Sequence, residues 1–273
     1  MNPHAATDPG PDRREQNAFT LIDLLVVLGV LALLALLSIS AMAHNQPSSD
    51  RAACANNLRR LMQAWQMYAD DNSGLLMANA SSSGYLPWVG GFVDFSAANP
   101  DNTSPLKLTN AAYAAIGPYV NSSSWFRCPA DPATVVNSGV PKLRVRSYSM
   151  NEYMGPPTPS VWSPSFQVMT RITEVSQPER AFVFLEEHPA SINDGQFVMD
   201  LTAVGSQAKL VDFPAHFHLG GINLGRADGH VEYWQWSDAR TMPPMNVSPL
   251  NLNVPMPNNP DVARLQAAAS YRP

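Results

Sequence analysis

Apolar residues are concentrated in one stretch near the N-terminus, from Ala18 to Ala43. This stretch reads AFTLIDLLVVLGVLALLALLSISAMA, and its single formal charge is at Asp23. As a helix it would be about 39 Å long, which is enough to cross a hydrocarbon core of about 30 Å. The pattern predicts a membrane-inserted helix over Ala18–Ala43, after a polar segment over residues 1–17.

A cleaved signal peptide is the competing interpretation of the same stretch. Leu24–Leu37 has the length of a signal h-region, and Ala41-Met42-Ala43 has the small-x-small form of a cleavage site. Asp23 favours the inserted helix, because an acidic residue inside an apolar helix is costly in lipid and usually has a functional partner. A soluble exported protein, cut after Ala43, remains the alternative.

The next segment, residues 44–74, is expected to continue the helix with an amphipathic pattern. Apolar residues recur there at spacings of four, three, four and three, which is typical of one helix face. Gly74 follows as a stop signal. The stripe consists of Cys54, Leu58, Leu61, Trp65 and Tyr68.

The residues from Ala18 to Val27, AFTLIDLLVV, resemble the processing and methylation segment of type IV prepilins and type II secretion pseudopilins. The resemblance implies that a prepilin peptidase cleaves between Ala18 and Phe19 and methylates the new amino terminus. Residues 1–18 would then be a leader peptide, and residues 19–43 would be the transmembrane or filament helix. Asp23 would then be the fifth mature residue, and it would neutralise the amino terminus of an adjacent subunit during assembly. Two positions depart from the family pattern, which usually has Gly at Ala18 and Glu at Asp23.

Frequent Gly and Pro residues divide residues 75–240 into short elements, which indicates a globular head. Alternating or continuous apolar patterns predict several strands in it. Asp228-Gly229 is a hairpin turn signal between the last two. One short helix is expected over residues 106–120. The strand candidates are 144–150, 181–185, 196–199, 222–227 and 230–236.

His218 is followed by nine residues and then by Asp228-Gly229, which is similar to the C-terminal His-x9-Asp-Gly signature of one subgroup of pseudopilin-like proteins. The resemblance implies an α+β, pilin-like fold. In that fold a long N-terminal helix, half membrane-inserted and half amphipathic, packs on a small antiparallel sheet in the head.

The resemblance also implies a function and a location. The chain would be a non-enzymatic structural subunit of a type II secretion pseudopilus or a type IV pilus-like filament. It would be a single-pass inner-membrane protein with a cytoplasmic N-terminus and a periplasmic head. Its partners would be the prepilin peptidase, other pilin or pseudopilin subunits and the inner-membrane assembly platform.

The polar residues of the head include a group with metal-ligand chemistry. Imidazole with carboxylate suits zinc, and carboxylates with carbonyls suit calcium. The favoured interpretation is that these residues serve turns and hydrogen bonds and that no cofactor is bound. A metal-dependent binding module or a membrane-anchored periplasmic enzyme is the alternative function. The candidate ligands are Glu187, Asp194, His216, His218 and Asp228.

Cys54 and Cys128 are the only two cysteines of the chain. If the head is periplasmic, as the family implies, they can form a disulfide that ties the head to the helix. The alternative is a buried thiol at Cys54 and an unrelated thiol at Cys128.

Composition excludes some classes of function. The formal net charge is −5, which argues against a nucleic-acid partner. Neither a G-x-S-x-G elbow nor an H-E-x-x-H motif occurs. The tail, residues 241–273, is rich in proline and should be extended over the head, apart from a short helix at 261–269.

Overall fold

The structure is a computed structural model. It describes residues 21–272 apart from 81–83, 138, 157–161 and 247, and within helix α1 the side chains of Asp23 and of residues 35–47 are not described. The predicted leader 1–18 and the cleavage site at Ala18–Phe19 lie outside the described residues, and so does the side chain of Asp23. The chain divides into two compact units, residues 1–46 and 47–273.

Helix α1 extends from Leu21 to Asp71. In the part of the helix that belongs to the second unit of the chain, the predicted apolar stripe is confirmed. Its residues Cys54, Leu58, Leu61 and Trp65 are all fully buried. The helix ends where Ser73 and Gly74 adopt positive φ angles of 56° and 81°. The Gly74 amide donates to the Ala69 carbonyl at 2.7 Å, a helix termination that glycine permits.

The prediction that the first half of this helix is inserted in a membrane is wrong. Among the described residues, no helix combines the length and the apolar character that a membrane crossing requires. The continuous described part from residue 48 to Asp71 is amphipathic instead. The predictions of a transmembrane segment over 19–43, of a pilin-like fold built on it and of a single-pass inner-membrane location are therefore wrong.

The head is built on a mixed five-stranded sheet. Its strands are β3 (Tyr148–Asn151), β4 (Phe182–Glu186), β5 (Gln196–Phe197), β7 (Gly221–Arg226) and β8 (Val231–Gln235). They lie in the order β5-β3-β4-β7-β8. The prediction of an antiparallel sheet is corrected, because β5 pairs parallel to β3, whereas the other pairs are antiparallel.

Smaller elements surround this sheet. Two two-stranded sheets pair β1 (Thr134–Asn137) with β2 (Val140–Leu143), and β6 (Lys209–Leu210) with β9 (Val254–Pro255). The helix expected at 106–120 is shorter, with α2 at Leu106–Thr109 and a 3-10 turn at Gly117–Tyr119. The predicted tail helix is confirmed as α3 (Pro260–Ala269), capped by the Asn259 side chain.

The second half of α1 packs closely against β7. The Asn223 side chain donates to the carbonyl of Arg51, and a Cβ on Gly225 would lie 2.7 Å from Met62. Glycine at position 225 therefore lets the helix approach the strand. Aromatic rings fill the neighbouring core, where Trp88 lies 4.7 Å from Phe184 between ring centroids.

Gly155 marks another close approach in the head, between its own backbone and that of Met77. Its φ is +86°, and a Cβ there would collide with the backbone carbonyl of Met77. We expect Gly155→Ala to lower the free energy of unfolding by about 1–2 kcal/mol for the left-handed backbone and by about 1–3 kcal/mol more for overpacking. Chemical denaturation measures the difference.

Gly139→Ala is the matched control, because Gly139 also has a positive φ, +78°, but open space around its Cβ position. Equal losses of stability in the two variants would contradict the close approach at Gly155.

Candidate metal centre

Four side chains with metal-binding atoms converge inside the head. Their ligand atoms all lie within 4.8 Å of one another, and in the part of the chain that the structure describes no other group of three or more such residues forms. The group, here called the buried ligand centre, consists of Cys54, Cys128, Glu186 and His218. These four side chains could hold a metal ion.

The helix and the central sheet supply two of these residues. Cys54 is the first member of the buried stripe of α1, so the same periodicity that docks the helix points its thiol at the sheet. Glu186 is the last residue of β4, a strand that is buried along its whole length. Its Oε2 accepts a 2.7 Å hydrogen bond from the backbone N–H of Asn223 in β7. This leaves Oε1 directed into the centre.

Two fixed loops supply the others. The Cys128 amide donates to the Ser147 hydroxyl at 3.1 Å, and that hydroxyl donates to Asp131. His218 lies in the tight turn before β7, where Leu219 and Gly220 both have positive φ angles. The carbonyl of His218 accepts from the Tyr233 hydroxyl at 2.7 Å, which anchors the histidine backbone to β8.

The donor atoms lie at distances that suit a small ion. Glu186 Oε1 is 2.8 Å from Cys54 Sγ and 2.9 Å from His218 Nε2. His218 Nε2 is 3.4 Å from Cys128 Sγ. Ligand atoms around a tetrahedral zinc lie about 3.3–3.8 Å apart, as bond lengths of about 2.0–2.3 Å require. The separations of 2.8–3.4 Å between these atoms and the limit of 4.8 Å for the whole group lie on either side of this range.

The electrostatics of the centre favour a positive charge. All four residues are between 0% and 2% exposed, and a buried carboxylate is costly unless a cation or hydrogen bonds compensate it. Burial alone would lower the pKa of His218, but the hydrogen bonds to Cys54 and Glu186 raise it to about 10. Burial, followed by the neighbouring Cys54 and Glu186, raises the pKa of the Cys128 thiol. His218 Nε2 lies 2.9 Å from Glu186 Oε1, so the raised pKa of His218 favours the protonated imidazole at this position.

The ligand set predicted from the sequence is largely corrected. Only His218 belongs to the centre. Glu187 follows Glu186 on the opposite face of the sheet and accepts from Ser191, and Asp194 caps the backbone at Gln196. His216 contacts the carbonyl of Pro243. Asp228 pairs with His230 in the β7–β8 turn.

The physical reason for this correction is the start of β7. His216 and His218 would share a face on one strand, but β7 begins only at Gly221, so both residues lie in the preceding loop. His218 and Asp228-Gly229 then flank β7 at its two ends. The nine intervening residues of the signature span this strand, which separates the histidine from the turn.

The prediction of a Cys54–Cys128 disulfide is also wrong, because both cysteines are free thiols. The two cysteines do lie close together between the helix and the head, but no covalent bond joins their sulfur atoms. Cys54 donates its S–H to Glu186, and Cys128 lies against His218. Each sulfur therefore has a partner within the centre.

The candidate ligand set predicted from the sequence leaves out Glu186 and both cysteines, although Glu186 is one of the carboxylates that accompany the histidines of the head. A signal was present, since Glu186 directly follows the apolar run Ala181–Leu185 and a carboxylate at the end of a buried strand needs a partner. Cys54 was attributed to the apolar stripe and to a disulfide.

Comparison with known proteins does not assign this centre. No family model, curated protein or solved structure matches the chain. The chemistry of the centre is therefore inferred from its own donor atoms.

Proposed function

We propose that this chain is a structural subunit that assembles with further copies of itself through the apolar N-terminal part of α1. The observation that carries the proposal is the exposure of that part. Large apolar side chains between Leu21 and Leu34 are about half exposed or more, for example Leu25 at 60% and Leu28 at 52%. Exposed apolar surface of this extent marks an interaction site.

The resemblance of Ala18–Val27 to prepilin processing segments supports helix-to-helix assembly as the mode of contact. In the same proposal, a prepilin-type peptidase cleaves at Ala18–Phe19, and Asp23 meets the new amino terminus of a neighbouring copy. Two opposite charges in apolar surroundings stabilise one another and set the register between subunits.

The cofactor that we propose is a structural zinc ion in the buried ligand centre. Two thiolates and an imidazole are ligands that zinc prefers, whereas calcium takes oxygen ligands almost entirely. Four protein ligands leave no open position for a substrate, which is typical of structural rather than catalytic zinc sites. The ion would link α1, through Cys54, to three segments of the head.

An enzymatic role for the same residues is disfavoured by burial. A cysteine beside a histidine and a carboxylate can act as a nucleophile. Cys54, Glu186 and His218 are almost completely inaccessible to solvent, so a substrate cannot reach the thiol. The donor atoms face one another rather than a cavity.

The assembly proposal predicts the effect of polar residues on the exposed helix. Leu25→Asn combined with Leu28→Asn should raise the concentration needed for assembly at least about a hundredfold, because burying each leucine contributes about 1.5–3 kcal/mol. Sedimentation velocity and negative-stain microscopy of the full-length chain measure assembly.

Val136→Asn is the matched control, since Val136 is a similarly exposed apolar residue, at 55%, on β1 of the head. A wild-type chain that stays monomeric, or equal assembly by the double variant and the wild type, would contradict the proposal.

The zinc proposal predicts one zinc per purified full-length chain and little metal after any one ligand is removed. Cys54→Ser, Cys128→Ser, Glu186→Gln and His218→Gln remove the ligands one at a time. His216→Gln and Asp228→Asn are controls that should keep the ion, because neither residue reaches the centre. Elemental analysis by plasma mass spectrometry, after dialysis against buffer containing both zinc and calcium, distinguishes the outcomes. Retention of zinc by the four ligand variants, or its loss in the controls, would refute the assignment.

A further inference from the structure

A fifth side chain touches the buried ligand centre without being one of its ligands. The hydroxyl of Tyr148 lies 3.1 Å from Cys54 Sγ. Tyr148 is completely buried. Among the described residues, Cys54 is the hydrogen-bond partner that the structure gives this hydroxyl.

The sheet itself fixes this contact. Tyr148 begins β3 and is the register partner of Glu186 on the adjacent strand β4. Directly opposed residues of an antiparallel pair direct their side chains to the same face. The tyrosine therefore reaches the face on which Glu186 meets Cys54, and its ring carries the hydroxyl to the sulfur.

Hydrogen-bond chemistry determines the direction of this contact. Cys54 donates its own proton to Glu186, and a thiolate bound to a metal has only lone pairs to offer. With or without a bound metal, the Tyr148 hydroxyl is therefore the donor and the Cys54 sulfur is the acceptor. A donor to a metal-bound thiolate draws negative charge from the sulfur and holds it in one orientation.

We propose that Tyr148 is a positioning residue of the metal centre, whose hydroxyl orients the Cys54 thiolate and tunes its bond to zinc. This inference rests on the zinc site of the proposed function. Outer-shell partners of metal ligands typically change metal affinity about 10- to 100-fold, so the hydroxyl alone should have a measurable effect.

Tyr148→Phe removes only this hydroxyl and keeps the buried ring. We expect zinc affinity, measured on the full-length chain by competition with a chromophoric chelator, to fall about 10- to 100-fold. In the cobalt-substituted protein we expect the thiolate-to-metal charge-transfer band to shift, because the electron density on the Cys54 sulfur changes.

Tyr153→Phe is the matched control. Tyr153 is equally buried, and its hydroxyl donates to the Met199 carbonyl at 2.7 Å. Both variants lose one buried hydrogen bond, so a purely structural effect would weaken zinc binding equally and leave the cobalt band unchanged. Tyr153→Phe should keep wild-type affinity and spectrum.

The outcomes separate this inference from the zinc site itself. A wild-type chain that binds no zinc would overturn the site and the inference together. Wild-type zinc binding with unchanged affinity and spectrum in Tyr148→Phe would overturn only the role of Tyr148, and so would equal losses in the two tyrosine variants.

Discussion

The head is organised around a carboxylate that water cannot reach. Glu186 is fully buried, and a carboxylate in such a position needs hydrogen bonds or a positive charge nearby. The Asn223 backbone N–H, Cys54 and His218 supply hydrogen bonds, and a bound cation can supply the charge. Removing one partner of such a pair leaves an uncompensated buried charge, which is strongly destabilising. The helix, the central sheet and two loops all contribute side chains at this one point. Their relative positions therefore depend on how that charge is balanced.

The two parts of α1 meet opposite requirements. From Cys54 onward the apolar stripe is buried against the head, and Gly225 lets the strand below come close to it. Between Leu21 and Leu34 the apolar side chains are exposed, and in the proposed function they pack against further copies of the chain. In that proposal one helix carries an internal docking face and an external assembly face. A zinc ion at Cys54 would fix the internal face without involving the external one.

Local patterns predicted much of the head from the sequence. The spacing from Cys54 to Trp65 predicted the buried helix face, and Asp228-Gly229 predicted the β7–β8 turn, because both signals act within a few residues. The metal centre could not be predicted in this way, since its ligands lie at positions 54, 128, 186 and 218 and only the folded topology brings them together. Alternation along the chain places Glu186 and Glu187 on opposite faces, but it does not indicate which face receives the helix. The prediction of a membrane span is wrong because no helix among the described residues combines the length and the apolar character that a crossing requires.

X-ray absorption at the zinc K-edge of the full-length protein identifies the ligand atoms around the ion in the buried ligand centre. We expect two sulfur ligands at about 2.3 Å and two nitrogen or oxygen ligands at about 2.0–2.2 Å. A coordination shell without sulfur, or one with six oxygen ligands, would contradict this expectation. In that case Glu186 would have to be balanced by His218 alone, and the link between α1 and the head would rest on apolar packing.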